Sequence, residues 1–447
     1  SMVFPDEQDY VDRISRVKES ATGPDGVPYS AYKASKNLSG AILFKAAKDL
    51  SQNEPLADLT ILNKQLVWFA PKNASDQSEV AIYRSPDKLR TIFGSNADVK
   101  LIAGTAAEKI IPGMLALTPM AQRGFCKERQ LALNVVDLDA FTRAYNQIFK
   151  GTFENLEEST ASIPNLPATA LYDFCNAFPT LLHDWMFFVL HVLQIPLVFM
   201  NLIKSLYTNI TAYSSGIGDG SFLFEVLGGV KTGCPMSSVL FILCINPFVH
   251  LCVFLSDKPG LSTTRVCADD FGSALKCLKA LRTQASIFKV AAEVSGLHLK
   301  PSKCVIIISC VHLSDGLVAL IKAWLTQHVP AFAEFKIHSS GKYLGWILGI
   351  NSVQLSYQAP LSKFVNRVGE VCQGQAPAAV SICTYNQRAV TVLSYVAQFA
   401  PPPEDSKLDF LSHWAVHKIL RLPSNCMARG LSYAIGFCSA INPLPLR

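Results

Sequence analysis

The chain has 447 residues, half of them hydrophobic and 17% charged, so it can bury a large core and is not a disordered chain. Its length suits two to four subdomains, and a formal net charge of +6 is compatible with a polyanionic partner without requiring one. The 13 cysteines are scattered, with no Cys-x-x-Cys pair and no zinc-finger histidine spacing, which reads as reduced, buried thiols in an intracellular protein rather than a disulfide scaffold.

No signal peptide opens the sequence, and Ser1-Met2 reads as a cloning remnant ahead of a fragment. Residues 1–55 are expected to be polar helices around one turn, Thr22 to Pro28, where glycines and prolines crowd together. From 56 to 95 helix and strand signals mix, and Leu66 to Ala70 is β-prone up to Pro71. Arg84, Lys88 and Arg90 cluster ahead of Thr91-Ile92-Phe93, either as a solvated basic face or as a cradle for a triphosphate. Helices are predicted from Asp98 to Ile111 and from Gln130 to Phe149. Between them, Gln122 to Arg129 is basic with one aromatic, which suits a solvated loop or a nucleic-acid backbone contact. Residues 151–167 form an acidic, Ser/Thr-rich surface connection ending in Pro164 and Pro167.

An apolar run, Ala168 to Tyr172, then feeds Asp173, and Pro179 closes the segment before a helix. A carboxylate there is a turn or cap residue, or a metal ligand, because a buried one needs a partner or a cation. Trp185 to Ile203 carries no charge, but His191, Gln194, Pro196 and Asn201 interrupt it, so two buried helices are expected and not a membrane span. Residues 205–235 read as a hairpin punctuated by Gly216, Gly218 and Gly220. It leads into Gly228 to Ser238, a Gly-rich loop with Pro235 at a helix start, which allows close backbone approach and leaves N–H groups free. The helix from Pro235 to about Leu255 is apolar nearly all round and therefore buried. Two β-prone runs, Thr263 to Cys267 and Phe271 to Leu275, flank Ala268-Asp269-Asp270. That is a hairpin with two carboxylates at its tip, an ordinary turn or a hard-oxygen site for a divalent cation. A helix from Ala274 to Gly296, a strand from Val305 to Ser309 and another opening at Gly341 to Gly345 follow. Beyond 351, helical patterns lie at 358–374, 380–400 and 404–421, and residues 351–447 carry eight basic against four acidic side chains, Asp405, Arg429 and Arg447 included, which suits a clamp on a nucleic-acid duplex.

Asp173 and the Asp269-Asp270 hairpin can meet if their strands are neighbours in one antiparallel sheet. Three converging carboxylates repel one another unless cations lie between them. Two Mg²⁺ ions so held stabilise the attacking and leaving oxygens of an in-line phosphoryl transfer.

In this order the motifs resemble the reverse transcriptase of non-LTR (LINE-type) retrotransposons. The matching stretches are Gly23 to Pro28, Arg90 to Lys100, Gln122-Arg123-Gly124-Phe125, Asp173 to Pro179, Gly229 to Ser237, Cys267 to Asp270, Gly296 to Lys303 and Tyr343-Leu344-Gly345. The resemblance covers roughly residues 20–350 and implies an α+β right-hand polymerase. Its parts would be an N-terminal extension (1–55), fingers (56–150), an antiparallel-sheet palm with part of the fingers (151–350) and a helical thumb (351–447). It implies an RNA-directed DNA polymerase acting on an RNA template, a DNA or RNA primer and dNTPs, with two Mg²⁺ ions, replaceable by Mn²⁺, and no membrane. Asp173, Asp269 and Asp270 would be the catalytic, metal-binding carboxylates, with the Phe174 backbone as a further metal ligand. Lys303 would be the general acid for the leaving pyrophosphate, and Arg90 would hold the triphosphate. Phe178 would exclude a 2′-hydroxyl, which argues against an RNA-dependent RNA polymerase. Thr232 and Gly233 would face the incoming nucleotide. Gln122, Arg123, Gly124, Phe125, Tyr343, Leu344 and Gly345 would contact template and primer. Two positions depart from the family pattern: Thr232 stands where Gln is usual, and Cys267 stands where an aromatic is usual. They keep open a rival reading, a weak or inactive RNA-binding scaffold. No endonuclease constellation is visible, so target cleavage would need another domain or a partner. A self-copying chromosomal element implies a nuclear site of action.

Overall fold

The computed structural model describes residues 2–72, 85, 88–152, 162–215, 220–404, 407–423 and 426. Arg84, Gly216, Gly218, Asp405, Arg429, Arg447 and most of the acidic connection lie outside the described residues. The chain opens with α1 (Glu7–Arg16), whose Asp6 and Asp9 carboxylates each accept the other's backbone N–H, at 3.0 and 2.9 Å. Then come α2 (Tyr29–Ala34), α3 (Lys36–Leu50), the single turn α4 (Leu59–Leu62), β1 (Lys64–Pro71), β2 (Leu89–Gly94) and α5 (Ala97–Leu117). Tyr10 and Ile14 of α1 share a core with Leu43 and Ala47 of α3 and Ile102 and Ala106 of α5. The Thr22 to Pro28 turn is pinned to this unit, since the Asp25 N–H donates to Asn96 Oδ1 at 3.2 Å just before α5. α5 runs six residues past its expected end. Pro112 removes one helical hydrogen bond, but the buried Ile110 and Met114 on either side carry the helix through.

Next come α6 (Ala132–Thr152), β3 (Ala168–Tyr172), the turn α7 (Ala177–Thr180), α8 (His183–Val192), α9 (Leu197–Tyr207), β4 (Thr211–Ser214), β5 (Phe222–Glu225) and α10 (Ser237–Cys252). The chain continues through β6 (Ser262–Cys267), β7 (Asp270–Leu275), α11 (Ala280–Ser295), β8 (Val305–Ile307), α12 (Asp315–His328), β9 (Lys336–His338) and the hairpin β10 (Ser340–Tyr343) to β11 (Trp346–Gly349). Four strands form one sheet in the order β2-β1-β4-β5, and five form another in the order β6-β7-β3-β8-β9. Both are antiparallel except for the β1–β4 and β8–β9 pairs, which are parallel.

The five-stranded sheet is buried on both faces, and its side chains alternate between two cores. Ala170 and Tyr172 of β3, Phe271 of β7 and Ile306 of β8 point into the larger core, with Phe288 of α11 and the apolar α10. Leu171, Ala274 and Ile307 point the other way, onto Val135 and Leu138 of α6 and Tyr343, Trp346 and Leu348 of the β10–β11 hairpin. The helix running from Ser237 to Asp257 is long and apolar enough to cross a membrane, yet most of α10 lies in this core. The C-terminal part is helical: α13 (Ser352–Gln373), α14 (Ala378–Thr384), α15 (Thr391–Ser394) and α16 (Leu408–Ile419). Phe364, Val368, Ile382, Tyr385 and Ala415 give it a core of its own. This is the α+β arrangement of fingers, antiparallel-rich palm sheet and helical thumb.

Some expectations need correction. α11 begins at Ala280, because β7 continues through Leu275 to pair with both β3 and β6. Pro179 lies inside the single turn α7, and the expected helix, α8, follows it at His183. α10 starts at Ser237, two residues after Pro235. Trp185 to Ile203 does form two helices, but each buries one face only, and Phe188 and Leu197 stand 57% and 71% exposed.

Candidate active site

Tyr172 of β3 lies opposite Phe271 of β7, so Asp173, one residue on, emerges at the same end of the sheet as Asp269 and Asp270. The sheet register thus brings together carboxylates far apart in sequence. Burial pushes the Asp270 carboxyl up to about 6, and the neighbouring charges of Asp269 and Asp173 add to it. Asp269 is also raised, first by burial and then by Asp173, while Arg90 on β2 pulls it down. Lys303 Nζ lies 3.2 Å from Asp173 Oδ2. Among the described residues no three His, Cys, Asp or Glu side chains are already arranged to grip a metal ion. The donor set still fits a hard divalent cation, because these are oxygen ligands whose mutual repulsion a cation would relieve. Phe174 bridges to Leu299 with Cys175 N–H donating to His298 O and Lys300 N–H to Asp173 O, both at 2.8 Å. In that pattern the carbonyl of Phe174 itself lies outside the bonded pair.

The acidic turn sits in a cradle. Residues 121–123 run parallel to β6, with Val266 N–H donating to Ala121 O and Arg123 N–H to Val266 O, both at 2.8 Å. Gln122 is completely buried, and its side-chain amide bonds the backbone of Ala268. Arg123 pairs with Asn134 and with Asp137, at 2.9 and 2.8 Å, and Asp137 also takes Arg265 at 2.6 Å. Those two arginines draw the Asp137 carboxyl below its ordinary range against the opposing effect of burial. Arg129 bonds the carbonyls of Thr118 and Pro119, closing the end of α5. Tyr343, on β10, is buried and shares its single hydroxyl proton between Arg265 O and Asp270 O, at 3.1 and 3.2 Å.

The side chains of Gln122, Arg123 and Tyr343, expected at template and primer, bond the protein's own backbone and ion pairs here. Phe125 is 58% exposed, with its ring edge-on to Phe178 at 6.1 Å. Leu344 and Gly345 form the two-residue tip of the β10–β11 hairpin, and the Tyr395 hydroxyl bonds Leu344 O.

The four-stranded sheet supplies the other wall. Arg90 is exposed on β2, close enough to Asp269 to affect its charge. Phe93 N–H donates to Thr232 O at 2.9 Å, tying β2 to the Gly-rich loop. Gly233 sits at φ +109°, and a Cβ there would lie 2.7 Å from Phe93 O, so only glycine lets the loop approach this closely. Phe178 is stacked on Phe241 at 4.3 Å, which fixes its ring. Lys72, which the sequence did not mark out, donates to Asn176 Oδ1 at 2.8 Å, three residues from Asp173. A single lysine after Pro71 carries no motif, and only the pairing of β1 with β2 shows where it reaches.

The sequence model of one family, described as reverse transcriptase (RNA-dependent DNA polymerase), matches residues 83–348, more than half of the chain. The chain belongs to the reverse transcriptase family. The reverse transcriptase match takes in Arg90, Asp173, the Gly-rich loop, the Asp269-Asp270 turn, Lys303 and Tyr343, and leaves α1–α4 and α13–α16 outside it. Solved structures similar to this chain include apo telomerase from Candida tropicalis, at 9% identity and TM-score 0.43 over 82% of this chain and 63% of that one. A C-terminally truncated form of that telomerase gives 9% and 0.41 over 65% and 54%. Candida albicans telomerase in complex with a fragment of telomeric RNA gives 10% and 0.40 over 82% and 62%. The chain therefore spans less than two thirds of the length of these telomerases. No curated protein matches the chain.

Proposed function

We propose that the chain is an RNA-directed DNA polymerase of the non-LTR (LINE) type, which adds deoxyribonucleotides to a primer 3′-end on an RNA template. The observation that carries this reading is the like-charged pair Asp269-Asp270 set beside Asp173: burial raises both carboxyls of the pair, the Asp173 charge adds to each, and Asp269 adds to Asp270. Such an arrangement costs stability and is best accounted for by a bound cation and the chemistry it serves. Two Mg²⁺ or Mn²⁺ ions on Asp173, Asp269, Asp270 and the Phe174 carbonyl would neutralise charge on the attacking and leaving oxygens. Arg90 binds the triphosphate and orients the α-phosphate. Gly233 lets the nucleotide lie against backbone, and Thr232 offers it a short hydroxyl. The Phe178 ring, immobilised on Phe241, packs under the sugar and excludes a 2′-hydroxyl. Lys303 leaves Asp173 and delivers a proton to the departing pyrophosphate. The same reading divides the chain into extension, fingers, palm and thumb near residues 55, 150 and 350, and sets its work in the nucleus.

The test is primer extension on an RNA template with dNTPs and Mg²⁺, beside Asp270→Asn. The reading expects extension by the wild type and none by the variant. Equal binding of primer–template by both with extension by neither would replace it with an RNA-binding scaffold, to which Thr232 and Cys267 already lend some support.

A further inference from the structure

We infer that Gln122 is the positioning residue of the acidic turn: its side-chain amide holds Ala268 in a left-handed conformation that presents Asp269 and Asp270 beside Asp173. The kinetic consequence rests on the polymerase reading, whereas the clamp itself does not.

Cys267 pairs with Asp270, so Ala268 and Asp269 form a two-residue hairpin loop. Ala268 has φ +57° at its first position, where such loops favour glycine. An alanine there is strained and stays only if its surroundings over-determine it. Gln122 supplies that constraint at both ends of the residue. Its Oε1 accepts the Ala268 N–H at 2.9 Å and the Gly124 N–H at 2.8 Å, and its Nε2 donates to Ala268 O at 3.3 Å. The side chain has no exposed surface, so water cannot take its place. Its own backbone is fixed by the Arg129 guanidinium on Gln122 O at 2.7 Å and by the bridge to Val266. Gly124 completes the fit, since a Cβ there would lie 2.1 Å from Ala268 N.

The geometry is specific about substitutes. Glutamate, held protonated by this fully buried site, keeps both acceptor bonds at one oxygen and donates from the other. Methionine keeps the shape and loses all three. Asparagine is one methylene too short to reach.

The experiment compares full-length wild type, Gln122→Met and Gln122→Glu by hydrogen exchange, primer–template affinity and steady-state nucleotide addition. In the methionine variant, exchange across 266–270 is expected to rise at least about tenfold with no change in α10, because one small element has lost its clamp. Its kcat should fall about a hundredfold, the cost of roughly 1 Å of misplacement, with the nucleotide KM and the primer–template Kd within about twofold of wild type. Glutamate should restore at least about tenfold of that kcat through the bonds it retains. Unchanged exchange at 266–270, a glutamate variant no better than methionine, or a loss seen in primer–template Kd would each overturn the inference, the last by making Gln122 a nucleic-acid ligand. A rise in exchange over the whole chain would overturn it too, reducing Gln122 to a core residue. If the wild type extends no primer, the polymerase reading falls, and the exchange comparison still decides the clamp.

Discussion

Asp270→Asn should make the metal-free protein more stable at neutral pH, although it removes a residue placed at the centre of the chemistry. The Asp270 carboxyl titrates near 6 in the fold against an ordinary 3.8. A raised folded value means the fold prefers the protonated acid. The stability this contributes is complete below about pH 3.8 and is lost as pH rises through about 6. Two pH units at about 1.4 kcal/mol each set an upper bound of about 3 kcal/mol. Asp270 is exposed as a residue although its carboxyl is crowded by the surrounding protein, so solvent screening reduces this to about 1 kcal/mol. An asparagine carries no such penalty. For a chain of this size the variant's melting midpoint should lie about 1 °C above wild type at pH 7.5 in a chelator, and the gap should close by pH 4. Added Mg²⁺ should raise the wild type and leave the variant nearly unmoved, because the cation relieves the repulsion that the variant has already lost. A variant that melts at or below wild type at pH 7.5, or a gap that persists at pH 4, would falsify the electrostatic account of the site.

Two further substitutions probe the walls of the site. Tyr343→Phe removes the hydroxyl that bonds Arg265 O and Asp270 O, and should cost about 1–2 kcal/mol in denaturant unfolding with primer–template affinity unchanged. A loss of affinity without a loss of stability would return Tyr343 to the nucleic-acid surface. Phe178→Ala removes the ring held on Phe241, and the ratio of deoxyribonucleotide to ribonucleotide incorporation should fall at least about tenfold. An unchanged ratio in single-nucleotide addition would place sugar selection elsewhere.

The acidic hairpin was legible almost to the residue, since Thr263, Thr264 and Val266 favour a strand and the Asp pair a turn. Asp173 was legible as the end of a buried apolar run. The roles of Gln122 and Tyr343 were not, because their partners are backbone atoms 146 and 73 residues away, and a hydrogen bond to backbone leaves no mark on the sequence of the partner. α12 is a different kind of miss. Its signals were present: Ser314 caps it by accepting the Leu317 N–H at 3.1 Å, and Leu317, Ile321, Trp324 and Leu325 fall at helical spacing. The parallel pairing of β8 with β9 depends on α12 as the crossover between them.

The central position of β3 bears on how the protein is made. All five of its residues are buried, and both its edges are bonded, one by β7 and one by β8. Neither partner strand has been synthesised when Tyr172 is added to the growing chain. At about 5–20 residues per second, the first residues of β7 follow some 5–20 s later and those of β8 later still. For that interval a short apolar strand stands with two unpaired edges, the geometry that templates pairing between chains. The residues that assemble the acidic end of the sheet therefore also set the slow, aggregation-exposed stage of its birth on the ribosome, and a nascent chain stalled before Phe271 would carry that exposed strand indefinitely.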